Sequence, residues 1–124
     1  MATPRFLKDQ VRLYNEEESI NLINTTAAKL NKLANQATDQ VLALQTKLDG
    51  CGFSASIDGS FNALFCYGRI DNCWGFYSVS RHGNLVSFFC LSRTDKIRFA
   101  RALPELLKAI TQEAIEAGAN DVNI

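Results

Sequence analysis

Between Asn15 and Gly50 the chain contains neither glycine nor proline, and this unbroken stretch constrains the fold more than any other feature. Asn15 followed by Glu16, Glu17 and Glu18 reads as an N-cap with acids in the first turn, where they complement the helix dipole. Glu18, three residues after Asn15, adds a capping-box-like contact, and Gly50 is a natural C-cap. Inside this span Ile20, Ile23, Ala27, Leu30, Ala34, Ala37, Val41, Leu44 and Leu48 alternate three and four apart, which is a heptad seam. A helix over residues 15–49 is predicted, about 51 Å long at ~1.5 Å per residue.

That length bears on assembly. A compact chain of 124 residues has a radius of gyration near 14 Å, hence a diameter of roughly 35 Å. The predicted helix outruns its own domain, so its seam needs a neighbour, and a second copy is the simplest one. Ile20, Ile23, Ala27, Leu30, Ala34, Ala37, Val41 and Leu44 are therefore the expected interface of a homodimer or larger oligomer. The alternative is a helix that bends, or breaks near Asn35, and lies on its own sheet.

Residues 51–91 read as a four-stranded antiparallel meander rich in Phe, Val, Ile and Tyr, with turns at Asp58-Gly59, Asp71-Asn72 and Arg81–Asn84. Ser92, three residues before Asp95, caps a second helix over 92–117. Its buried stripe is Ile97, Ala100, Leu103, Leu107, Ile110 and Ala114; Pro104 is expected to bend it and Gly118 to end it. Residues 1–14 form an arm with weak strand periodicity, and 118–124 read as a loose tail. The predicted class is α+β, in a single domain of the usual size.

Two-residue turns fix register and thereby the faces of the sheet. A loop at Asp58-Gly59 sets Cys51 opposite Cys66; one at Asp71-Asn72 sets Cys66 opposite Tyr77; one at His82-Gly83 sets Tyr77 opposite Phe88. One face then carries Cys51, Cys66, Cys73 and Cys90 with Gly68 and Gly75, a bed suited to a packed helix. The other carries Phe65, Tyr67, Arg69, Trp74, Phe76 and Phe89 among serines, and Tyr, Trp and Arg dominate binding hot spots. Helices are thus expected over the cysteine face, leaving the aromatic face for a ligand, a partner or a second subunit. The plainer alternative has a helix on each face.

The chemistry-bearing residues are sparse. The four cysteines form no CxxC pair and have no histidine nearby, so free thiols are expected and no metal site. His82, the single histidine, falls in a turn. No GxGxxG, GxxxxGK[ST] or HExxH occurs and no nucleophile elbow is recognisable, so neither an enzyme nor a cofactor is expected. Formal charge is zero, which argues against duplex DNA, and no apolar run approaches the ~20 residues of a membrane span. With no export signal at the N-terminus, a cytoplasmic protein is expected.

Charge is nonetheless segregated, and the run SRTDKIRFAR places Arg93, Lys96, Arg98 and Arg101 around the start of the second helix. Helix N-termini with arginines suit anions. Tyr67, Arg69, Trp74, Phe76, Arg93, Lys96, Arg98 and Arg101 are accordingly the expected ligand-binding residues, for a phosphate-bearing small molecule such as a nucleotide. Two other readings compete: a protein-binding adaptor or inhibitor docking through the aromatic face, and single-stranded RNA stacked on it. The WGF strand followed by R-x-x-R-x-L-P-E-L-L, from Arg98 to Leu107, resembles small uncharacterised bacterial and phage proteins. That resemblance covers the last third of the chain and implies no functional residue. A phage-type sponge or inhibitor acting against host defence would have the profile of the first reading, an oligomeric binder of a phosphate-bearing ligand.

Overall fold

A computed structural model describes residues 15–48, 51–59 and 62–122, with the backbone alone at 119–122. The class is α+β: a long N-terminal helix, a four-stranded antiparallel sheet in the order β1-β2-β3-β4, and a C-terminal helix. Contacts divide the chain into Met1–Lys32 and Leu33–Ile124. The expected arm at 1–14 and the cap at Gly50 lie outside the described residues.

Helix α1 spans Glu16–Lys47 and is continuous through Asn35. Its start follows the sequence: the Glu18 amide donates to Asn15 Oδ1 at 3.0 Å. Thr38 and Thr46, poor helix formers, are accommodated by donating their hydroxyls to the carbonyls of Ala34 and Leu42, 3.0 Å each. Helix α2 spans Arg93–Val122, and Ser92 Oγ accepts from the Asp95 amide at 3.2 Å, as expected of the cap. The helix passes through Gly118 rather than ending there, so 118–122 is not a loose tail. Neither helix is long and apolar enough to cross a membrane.

The strands are β1 (Ala55–Asp58), β2 (Leu64–Ile70), β3 (Cys73–Val79) and β4 (Leu85–Ser87). Asp71 and Asn72 have φ of 48° and 71°, the left-handed pair that a tight hairpin requires, and they set Cys66 opposite Tyr77 as expected. The other two turns differ. The Gly59 amide donates to the Ala63 carbonyl at 2.7 Å, closing a longer loop that sets Ser56, not Cys51, opposite Cys66. The third loop is held at both ends by Ser80: its amide donates to the Asn84 carbonyl at 2.9 Å, and its Oγ accepts from the Asn84 amide at 3.1 Å. Tyr77 therefore faces Ser87 rather than Phe88. Both shifts are by an odd number of residues, which moves a strand's side chains to the other face. Ala55, Ile57 and Val86 consequently share a face with Phe65, Tyr67 and Phe76.

That aromatic face is the interior. Phe65, Tyr67 and Phe76 are buried together with Phe88, Phe99, Leu103 and Leu106, and Ala37 and Val41 of α1 complete the core. The Phe99 ring lies 4.6 Å from Phe65, 5.9 Å from Phe76 and 5.3 Å from Phe88, centroid to centroid. The expectation that helices cover the cysteine face is thus corrected. The reason is area: burying a large apolar side chain stabilises by about 1.5–3 kcal/mol, and this face holds the largest ones. Chain beyond Ser87 leaves the sheet as a short 3-10 turn, Phe88–Cys90, which turns Phe88 into the core.

The opposite face is its own partial cover. Tyr77 lies across it, so a Cβ added at Gly68 would sit 3.2 Å from the phenol oxygen. Cys66 is sealed beneath, with Ser56 Oγ 3.3 Å from its sulfur. Leu64 and Leu85 at the margins stay exposed.

Candidate ligand-binding site

The structure separates the residues expected to bind a ligand. Tyr67 and Phe76 are 0% and 1% exposed, inside the core. Tyr67 has a structural employment there, donating its hydroxyl to the Leu48 carbonyl at 3.1 Å. Their placement on an open recognition face is therefore corrected. Trp74, half-buried, has its ring centroid 5.8 Å from that of Tyr67 with the planes tilted by 31°, and it lines a cavity. Arg69 is exposed beside it across the hairpin and donates to Asn72 Oδ1 at 2.8 Å.

The basic run does not form one patch. Residues two apart on a helix project about 160° from each other, and residues three apart about 60°. Lys96 and Arg98 thus point to opposite sides of α2, while Arg98 and Arg101 share one. Lys96 leans over the Phe88 ring, 5.9 Å from its centroid. Arg98 pairs with Asp95 at 3.3 Å. Arg93 is exposed in the first turn of α2, at its N-terminal end.

Arg101 is different. It is exposed, and among the described residues no carboxylate lies within ion-pairing distance of it. It borders a groove of about 270 Å³ between α2 and the second half of α1. Ala37, Ile97 and Ala100 supply an apolar floor, and Gln36 and Gln40 bring two side-chain amides to the rim. Gln36 and Gln40 were not legible as site residues, since exposed glutamines on a helix carry no signal until the opposing helix is placed.

The expected oligomer interface divides by burial. Ala34, Ala37 and Val41 are buried and Leu44 is partly buried against the chain's own core, so they are not free to form a seam with another copy. Ala27 and Leu30 are half-exposed, while Ile20 and Ile23 are 47% and 64% exposed.

The thiols are dispersed. Cys66 is buried, Cys51 half-buried, and Cys73 and Cys90 exposed, all of them free. Among the described residues no group of three or more His, Cys, Asp or Glu side chains converges on a point. Burial raises the Tyr77 pKa above its ordinary value, and the neighbouring Cys66 adds to the shift through charge and hydrogen bonding. No protein-family model, no curated protein and no solved structure matches the chain.

Proposed function

We propose that this chain is a non-enzymatic binding protein that takes up a phosphate-bearing small ligand, such as a nucleotide, and works as a homo-oligomer. The observation that carries the ligand is Arg101: an exposed guanidinium, with no carboxylate at ion-pairing distance among the described residues, on a groove rimmed by two amides. A guanidinium offers a planar fork of donors that matches phosphate oxygens, and glutamine amides add neutral donors beside it. The apolar floor of Ala37, Ile97 and Ala100 suits the uncharged remainder of such a molecule.

Self-association falls to the first half of α1. Ile20 and Ile23 are large, exposed and in heptad register with Ala27 and Leu30, and a like helix is the surface that fits this spacing. Antiparallel pairing sets the Glu16–Glu18 end of one copy alongside Lys29 and Lys32 of the other.

Calorimetric titration with ATP, a cyclic dinucleotide and inorganic pyrophosphate tests the ligand. At least one should bind, and Arg101→Gln should weaken it tenfold or more; silence from all three at millimolar concentration sinks the reading. Light scattering tests the assembly: a mass above the 13.8 kDa of one chain is expected, falling to that value in Ile20→Asp/Ile23→Asp.

An adaptor that docks on another protein is the second reading, and it moves to the other side of the sheet. Leu64 and Leu85 are exposed there, whereas the aromatic face is filled by helix. RNA stacking loses its platform with Tyr67 and Phe76 in the core.

A further inference from the structure

A second cavity, of about 220 Å³, lies where the end of α1 meets the β2–β3 hairpin, and it shares no lining residue with the Arg101 groove. Its walls are Trp74 and Phe89, with Ile70 and Cys73 at the hairpin and Gln45 from α1. Among the described residues, none of the side chains lining it is charged. A cavity of about 150 Å³ with apolar walls accepts a benzene ring, so this one has room for a fused bicycle.

Its polar feature is unsatisfied. Gln45 Oε1 is buried and has no hydrogen-bond partner among the described residues. The carboxamide lies against the backbone of Gly75, where a Cβ would come 3.1 Å from Oε1 and 3.7 Å from Cδ. Buried acceptors are almost always paired, so an orphan at a cavity wall marks the place of an absent donor. The glycine leaves room for the carboxamide, since any side chain there would push it aside. The required occupant is neutral, flat enough to lie against aromatic walls and able to present an N–H to a carbonyl oxygen. Purine-type bases meet all three conditions, because their exocyclic amino groups donate in the plane of the ring.

We propose that this cavity binds a purine-type heteroaromatic ring, whose amino group donates to Gln45 Oε1 while Trp74 and Phe89 hold its faces and edges. The site shares no residue with the Arg101 groove or with the Ile20 and Ile23 seam, and it stands without them.

Trp74 is the sole tryptophan, so its indole N–H resonance and its fluorescence both report on this cavity alone. The ¹⁵N-labelled protein is titrated with adenine and with N6,N6-dimethyladenine, which lacks the amino donor. Adenine should shift the Trp74 indole resonance saturably, and the dimethyl compound should bind at least tenfold more weakly. Gln45→Leu should erase the difference between the two, and Gly75→Ala should weaken adenine tenfold or more. Arg101→Gln should leave adenine binding unchanged, which separates this site from the phosphate reading. Three results overturn the proposal: no saturable shift with adenine, equal binding of the two compounds, or saturation by indole with none by adenine. The two-compound comparison on the parent protein decides the matter even where a variant fails to fold.

Discussion

Phe65 of β2 and Phe99 of α2 meet ring to ring, their centroids 4.6 Å apart and their planes tilted by 35°. The contact fixes which side of the sheet is the interior, because Phe99 also touches Phe76 and Phe88. Phe99→Ala removes the shared partner of three rings and leaves a cavity. It should cost about 3–5 kcal/mol in urea unfolding. Trp74→Ala, at a half-exposed position, should cost clearly less. A reversed order would mean that the aromatic face is not the core.

Tyr77 makes stability depend on pH at the alkaline end. Its phenol is raised above the ordinary value near 10 by burial first and by Cys66 second. The folded protein therefore keeps this proton where the unfolded chain gives it up. The contribution is complete below about pH 10 and is lost as pH climbs from there through the folded value. Urea midpoints measured from pH 8 to 11 should fall at the top of the range, and Tyr77→Phe should flatten part of that fall. Identical slopes for the two proteins would remove Tyr77 from the account.

Two glycines should respond to alanine with opposite signs. A Cβ at Gly59 would stand 2.8 Å from Phe65 Cδ1 and Cε1, in a ring that is itself buried. Overpacking of this kind costs about 1–3 kcal/mol. Gly118 sits in α2, exposed, with nothing within 4 Å of the added methyl among the described residues. There alanine should stabilise by about 0.5–1 kcal/mol, through the smaller entropy loss on forming helix. Thermal melts of the two variants should move in opposite directions.

Ser92 carries the start of α2 through one bond, accepted from the Asp95 amide at 3.2 Å. Ser92→Ala should cost about 1 kcal/mol, and Ser92→Asp should restore most of it by replacing the acceptor. Failure of aspartate to rescue would show that the hydroxyl acts by some means other than capping.

Local signals in this chain carried far. Asn15 and Ser92 cap the helices they precede, and the left-handed pair Asp71-Asn72 sets the central hairpin in the register its two-residue length implies. Each of these depends on neighbours within a few residues, so the sequence holds the whole cause. The end of α2 was missed for a related reason: glycine at 118 lowers helix propensity without forbidding the conformation. Of the candidate site, Arg101 was visible as part of a basic run, but Gln36, Gln40 and Gln45 were not, because an amide acquires meaning only from what stands opposite.

The order of elements, the α+β class and the helix starts were thus determined by sequence alone, through capping, periodicity and turn chemistry. The tertiary structure decided which face of the sheet lies inside. Two loops longer than two residues shifted the edge strands by odd steps, which no local pattern records, and that brought Ala55, Ile57 and Val86 round to the aromatic side. With Phe88 turned inward and Phe99 above, the rings gained more from burial against α2 than the thiol face offered. Register and burial are sums over the whole molecule, and so the surface left for binding appears only once the chain is folded.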